Sequence, residues 1–166
     1  MCLTIEKTND TPYIQLEKGL IKIDGTSMPE NVRKFYKPVK DWVDKYVEDP
    51  SDFTKIDLSL SYTNSSSIKQ INDLLSKLNN KFLEGFQMKV IWTYEDGDDS
   101  TLEAGNDLES MVKIPFEYKM TETQIKQQKK IKVKNKITGK TGEITQRYWE
   151  TIVRNGHEKD FELLDK

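Results

Sequence analysis

Between Thr54 and Tyr94 the apolar residues change period twice, and that switch restricts the fold more than any other feature. Ile56, Leu58 and Leu60 recur at every second position as far as Tyr62, the spacing of a half-buried strand. Ile68, Ile71, Leu74, Leu75, Leu78 and Phe82 then recur at threes and fours, one face of a helix, with Gly85 just beyond its last turn. Met88 to Tyr94 reads as a strand again. A strand, a helix and a strand in that order predict a parallel βαβ unit with a right-handed crossover.

The flanks extend this unit. Tyr13-Ile14-Gln15-Leu16 and Leu20-Ile21-Lys22-Ile23, separated by Glu17-Lys18-Gly19, have the pattern of a hairpin. Ser27-Met28-Pro29-Glu30 offers a capping serine, an early proline and an acid for a helix start. Val32, Phe35, Tyr36, Val39, Trp42, Val43 and Tyr46 continue at helical spacing until Asp49-Pro50, and their expected role is core. A short helix over roughly Thr101 to Met111 and a strand around Ile114 to Tyr118 complete the reading. The expected fold class is α/β, a mixed sheet with an N-terminal hairpin, a parallel βαβ unit and packing helices.

Three segments are expected: a main domain over 1–120, a lysine-rich linker over 121–130 and a small α+β extension over 131–166. In the extension, Lys132-Val133-Lys134 and Gly142-Glu143-Ile144 flank a glycine-containing turn. Tyr148, Trp149, Ile152 and Val153 suggest a short helix stopped at Gly156, and Phe161 to Leu164 a last strand.

Composition removes several functions. The single cysteine, Cys2, excludes an internal disulfide, and with one histidine, His157, the sulfur and imidazole zinc sites cannot be assembled. A net charge of -2 argues against nucleic acid or an anionic membrane as the main partner. No apolar run reaches the roughly 18 to 20 residues of a membrane span. Met1 to Asp10 lacks a signal-peptide pattern, so a cytoplasmic location is expected.

The most informative local feature is Asn64-Ser65-Ser66-Ser67, where strand gives way to helix. The first N–H groups of a helix have no internal partners and favour an anion, so a phosphate on Ser65 or Ser66 would be tolerated there. A plain helix start explains the same residues, because Ser67 and Gln70 have the spacing of a capping box. The acidic run Glu95-Asp96-Gly97-Asp98-Asp99, with Glu103 and Asp107, follows the second parallel strand and should emerge at the same sheet edge as the serines. A magnesium site there lacks any phosphate loop or catalytic motif to accompany it, and a solvated loop is the simpler account. No cofactor is expected.

Thr11-Pro12, Gly25 to Asn31, Phe35-Tyr36-Lys37-Pro38, Trp42, Tyr62 to Ser67, Trp92-Thr93-Tyr94 and Glu103-Ala104-Gly105 together resemble the SiaC family of bacterial regulatory phosphoproteins. The similarity runs from about Ile5 to Tyr118. The resemblance implies an architecture like that of anti-sigma-factor antagonists, no catalysis, and a role in a partner switch. In that switch a serine/threonine kinase phosphorylates the protein and a PP2C-type phosphatase reverses this. The unphosphorylated form binds and activates a diguanylate cyclase, which makes cyclic di-GMP. The family's switch residue directly follows the asparagine of the strand-to-helix motif; that position is Ser65, a serine where the family's best-known members carry threonine, with Ser66 and Ser67 as alternatives. Asn64, Ser65, Ser66, Ser67 and Lys69 are the expected partner-binding residues. Competing expectations are an anti-sigma-factor antagonist acting on transcription through an anti-sigma kinase, a magnesium enzyme built on the acidic run, and a nucleic-acid-binding lysine-rich tail.

Overall fold

A computed structural model of the chain describes residues 2–121, 130–139, 141–145, 149, 153 and 158–164. The chain divides into two compact units, Met1–Thr123 and Gln124–Lys166.

In the first unit, a six-stranded sheet follows chain order: β1 (Leu3–Ile5), β2 (Tyr13–Glu17), β3 (Leu20–Ser27), β4 (Phe53–Thr63), β5 (Gln87–Glu95) and β6 (Phe116–Thr121). β1, β2 and β3 pair antiparallel, whereas β3 to β6 run parallel. The parallel pairs are joined by α1 (Val32–Tyr46), α2 (Ser65–Leu83) and α3 (Asp99–Ser110). Three successive crossovers of one hand, each stepping one strand in the same direction, place their helices on one side of the sheet. The burial pattern agrees. Thr54, Ile56, Leu58 and Leu60 of β4 are buried, while Lys55, Asp57 and Ser59 between them are half-exposed. Ile56, Leu58, Val90 and Trp92 of the sheet share one core with Tyr36, Val43, Ile71, Leu75 and Leu108 of the helices.

The expected hairpin, βαβ unit and sheet-completing strand are present, and β1 is an edge strand that the short run Leu3–Ile5 did not signal. The start of α1 differs from the expectation. Asn31, not Ser27, is its cap, accepting a hydrogen bond from the Lys34 N–H at 3.0 Å. Ser27 ends β3 and is fully buried, because its hydroxyl serves another purpose described below. α3 starts at Asp99 under the cap Asp98, two residues before the expected Thr101.

In the second unit β7 (Lys130–Asn135) pairs antiparallel with β8 (Thr141–Thr145) and with β9 (Phe161–Leu163). The register sets Lys132 opposite Glu143 and Lys134 opposite Glu162. The helix expected around Tyr148 to Gly156 falls almost wholly outside the described residues, as do His157 and the linker between Thr121 and Lys130.

Candidate functional site

The site begins where β4 ends. Asn64 leaves the strand in an extended conformation and caps α2, its side-chain oxygen accepting the Ser67 N–H at 2.8 Å. The capping role expected for the Ser67 and Gln70 pair therefore belongs to Asn64, three residues earlier. The cap is itself tied down, since the Asn64 N–H donates to the Ser27 carbonyl at 3.2 Å. The Ser27 hydroxyl in turn bonds the Tyr36 hydroxyl at 2.8 Å inside the core. Burial pushes the Tyr36 phenol up to about 12, against the lowering effect of Ser27, so Tyr36 is neutral at all ordinary pH. β3, α1 and the start of α2 are thus joined at Ser27, its hydroxyl bonded to Tyr36 and its carbonyl to the Asn64 N–H.

The three serines of the run are not equivalent. Ser65 and Ser66 are exposed on the first turn of α2, and Lys69 one turn on is also exposed. Ser67 is fully buried, and among the described residues its hydroxyl oxygen has no hydrogen-bond partner. Modification of Ser67 would require the first turn of α2 to open.

Ser65 borders an open cleft of about 480 Å³ whose wall includes Ser61, Tyr62, Asp98, Glu103 and Asp107. The serine run and part of the acidic run therefore meet, as the parallel crossover predicts. Among the described residues no lysine or arginine lines this cleft. Hydrogen bonding from Thr101, side chain and backbone, and then from Ser100 holds the Asp98 carboxyl below its usual range. Asp98 is therefore anionic at neutral pH. Among the described residues no group of three or more acids, histidines or cysteines is arranged to hold a metal ion, and Asp98 caps α3 with Oδ1, which accepts from the Thr101 N–H and the Ser100 hydroxyl. Cys2 is exposed and free.

The acids are placed by Trp92. This indole is fully buried on β5, and its Nε1–H donates to the Thr101 carbonyl of α3 at 3.0 Å. Gly105, one turn on, is what lets the helix lie so close to the ring. Trp92 and Gly105, prominent in the sequence motifs, are thus positioning residues.

Sequence reading missed Arg33, which comes from α1 yet lies beside Ser66 and Lys69. No local pattern could reveal it, because the contact depends on how α1 packs against α2. Asp98 was legible as a cap, since it precedes Thr101 at the spacing that Asn64 shows before Ser67.

The family model for SiaC family regulatory phosphoproteins matches residues 5–121. The chain belongs to the SiaC family. An uncharacterized protein of Pseudomonas aeruginosa strain UCBPP-PA14 is 31% identical over 116 residues, which is 69% of this chain and 92% of that relative. Among solved structures, SiaC of Pseudomonas aeruginosa superposes with a TM-score of 0.67 at 29% identity, covering 73% of this chain and 99% of that one. A second, with a TM-score of 0.67 at 30% identity and coverage of 72% and 99%, is the diguanylate cyclase SiaD in complex with its activator SiaC from the same organism. The α/β fold and the regulatory rather than enzymatic character expected from the motifs agree with this membership. The matched span coincides with the first unit but for its ends, and β7 to β9 lie outside it. Among the described residues no helix is long and apolar enough to cross a membrane.

Proposed function

We propose that this SiaC-family protein is a phosphorylation-controlled activator of a diguanylate cyclase, with Ser65 as the switch. In this reading the unmodified chain binds the cyclase through the Asn64 to Ser67 turn and Lys69, a serine/threonine kinase phosphorylates Ser65, and a PP2C-type phosphatase restores the binding form. The observation that carries it is the setting of Ser65: an exposed hydroxyl on the first turn of α2, at the edge of a cleft lined by three carboxylates. The Pseudomonas aeruginosa SiaC that this chain resembles is a cyclase activator.

The electrostatics favour such a switch. A phosphate on Ser65 brings nearly two negative charges. The free amides of α2 would attract it, while Asp98, Glu103 and Asp107 repel it from the cleft. Burying the doubly charged group against a partner carries a desolvation penalty of roughly several kcal/mol, enough to release most protein complexes of ordinary affinity.

The test is phosphopeptide mass spectrometry on the protein isolated from its host, with and without PP2C-type phosphatase, followed by binding of Ser65→Ala and Ser65→Glu to the host's diguanylate cyclase. Phosphatase-sensitive occupancy at Ser65, and loss of cyclase binding in Ser65→Glu only, are expected. Unchanged binding by Ser65→Glu refutes the switch.

A further inference from the structure

The two exposed serines of the run face opposite electrostatic surroundings. Ser65 looks onto carboxylates, whereas Ser66 borders a separate cavity of about 420 Å³ formed where the first turns of α1 and α2 meet. Its wall comprises Glu30, Asn31, Val32 and Arg33 from the start of α1 and Ser66, Lys69 and Gln70 from the start of α2.

Three observations mark this cavity as a place for an anion. The α1–α2 groove beside it is rich in ion pairs, with Lys37 on Asp41, Lys40 on Asp73 and Lys77 on Asp44. Arg33 and Lys69, at its serine end, have no such pair among the described residues. Second, Gln70 is only 8% exposed and lines the cavity, yet its side-chain amide has no hydrogen-bond partner among the described residues. The amide atoms remain accessible from the cavity and are therefore free to donate to a ligand oxygen there. Third, the positive ends of two helices of 15 and 19 residues converge here, and neither has an acid in its first turn. Among the described residues Glu30 is the single carboxylate on the wall, against Arg33 and Lys69, so the balance there is positive.

We propose that Ser66 is a second phosphoacceptor, whose phosphate is held by Arg33, Lys69 and the Gln70 amide. The inference rests on the reading of this serine run as a kinase target. In the transfer, a protein kinase moves the terminal phosphoryl group of a nucleoside triphosphate to the Ser66 hydroxyl: the Oγ–P bond forms, the anhydride bond to the diphosphate breaks, and the hydroxyl proton passes to the kinase's base. Ser66 and Lys69 are three residues apart on one helical face, and Arg33 approaches from the neighbouring helix, so a phosphate would bridge α1 and α2. A phosphate on Ser66 is thus retained by the protein itself, whereas one on Ser65 is repelled by its cleft.

The full chain carrying phosphoserine at position 66 or 65 allows a direct test by ³¹P NMR titration. The Ser66 phosphate should titrate about half a unit or more below the ordinary value near 6, and the Arg33→Gln/Lys69→Gln double variant should abolish that depression. The Ser65 phosphate should show no depression. Equal titration at both positions, or insensitivity to Arg33 and Lys69, overturns the cradle. Acceptor status is read separately by phosphopeptide mapping of Ser65→Ala protein isolated from its host: phosphate retained at Ser66 supports it, and none at Ser66 overturns it. In the wild type, phosphate on Ser66 but not Ser65 would refute the Ser65 switch alone.

Discussion

The indole of Trp92 occupies the space that a side chain on Gly105 would need: a β-carbon there would stand 2.6 Å from Nε1. α3 consequently rests directly on the sheet, with Trp92 Nε1–H bonded to Thr101 one turn earlier, and Glu103 and Asp107 are carried to the cleft beside Ser65.

Gly105→Ala should destabilise the fold by about 1–2 kcal/mol. Overpacking against a rigid ring costs roughly 1–3 kcal/mol, and the better helix propensity of alanine offsets up to about 1 kcal/mol. Urea unfolding measures the loss, and faster hydrogen exchange along 99–110 would locate it in α3. A stability equal to that of the wild type would mean that α3 lifts away without cost.

Ser27→Ala strands the buried Tyr36 hydroxyl and should cost about 1–3 kcal/mol. Adding Tyr36→Phe removes the stranded group, so the double variant should lose less than the two single losses together, by about 1 kcal/mol or more. Strict additivity in denaturant titrations would show that the pair is not coupled.

Asn64→Ala should lose about 1 kcal/mol by removing the cap of α2, while Asn64→Asp retains it. In Asn64→Ala the first turn should fray, and exchange at the Ser67 amide, now without its acceptor, should rise most.

Acid sensitivity follows from Asp98. Its folded carboxyl titrates below the unfolded value because Thr101 and Ser100 hydrogen-bond the anion. The unfolded chain therefore binds the proton first, and the stabilisation is present above about pH 4 and lost as pH falls through the folded value. Asp98→Asn keeps an oxygen for the cap without the charge. The stability difference between wild type and Asp98→Asn should be largest near neutral pH and vanish in strong acid; urea midpoints between about pH 6 and about pH 2 would show it. A difference independent of pH would mean that the charge of Asp98 contributes nothing.

Much of the site was legible because it lies within single elements. The switch of apolar period at Tyr62 to Ile68 located the serine run at a strand-to-helix junction, and parallel connectivity alone brought the acids after β5 to the same edge. Cap identities were misread at both junctions. Ser27, Asn31, Asn64 and Ser67 are all competent capping residues, and which of them points at a free N–H depends on where the preceding strand ends. Ser27 lost that role to a tertiary demand, the partner of a buried Tyr36 hydroxyl.

The α/β class, the hairpin, the parallel βαβ unit and the candidate serines all follow from periodicity and turn chemistry over a few neighbouring residues, and are readable from the chain alone. That Ser67 is buried, that Ser65 shares a cleft with Asp98, Glu103 and Asp107, and that Ser66 shares a cavity with Arg33 and Lys69 depends on packing between elements. Those relations join residues distant in the chain, and they arise from the depth at which Trp92 and Gly105 let α3 settle and from the packing of α1 on α2.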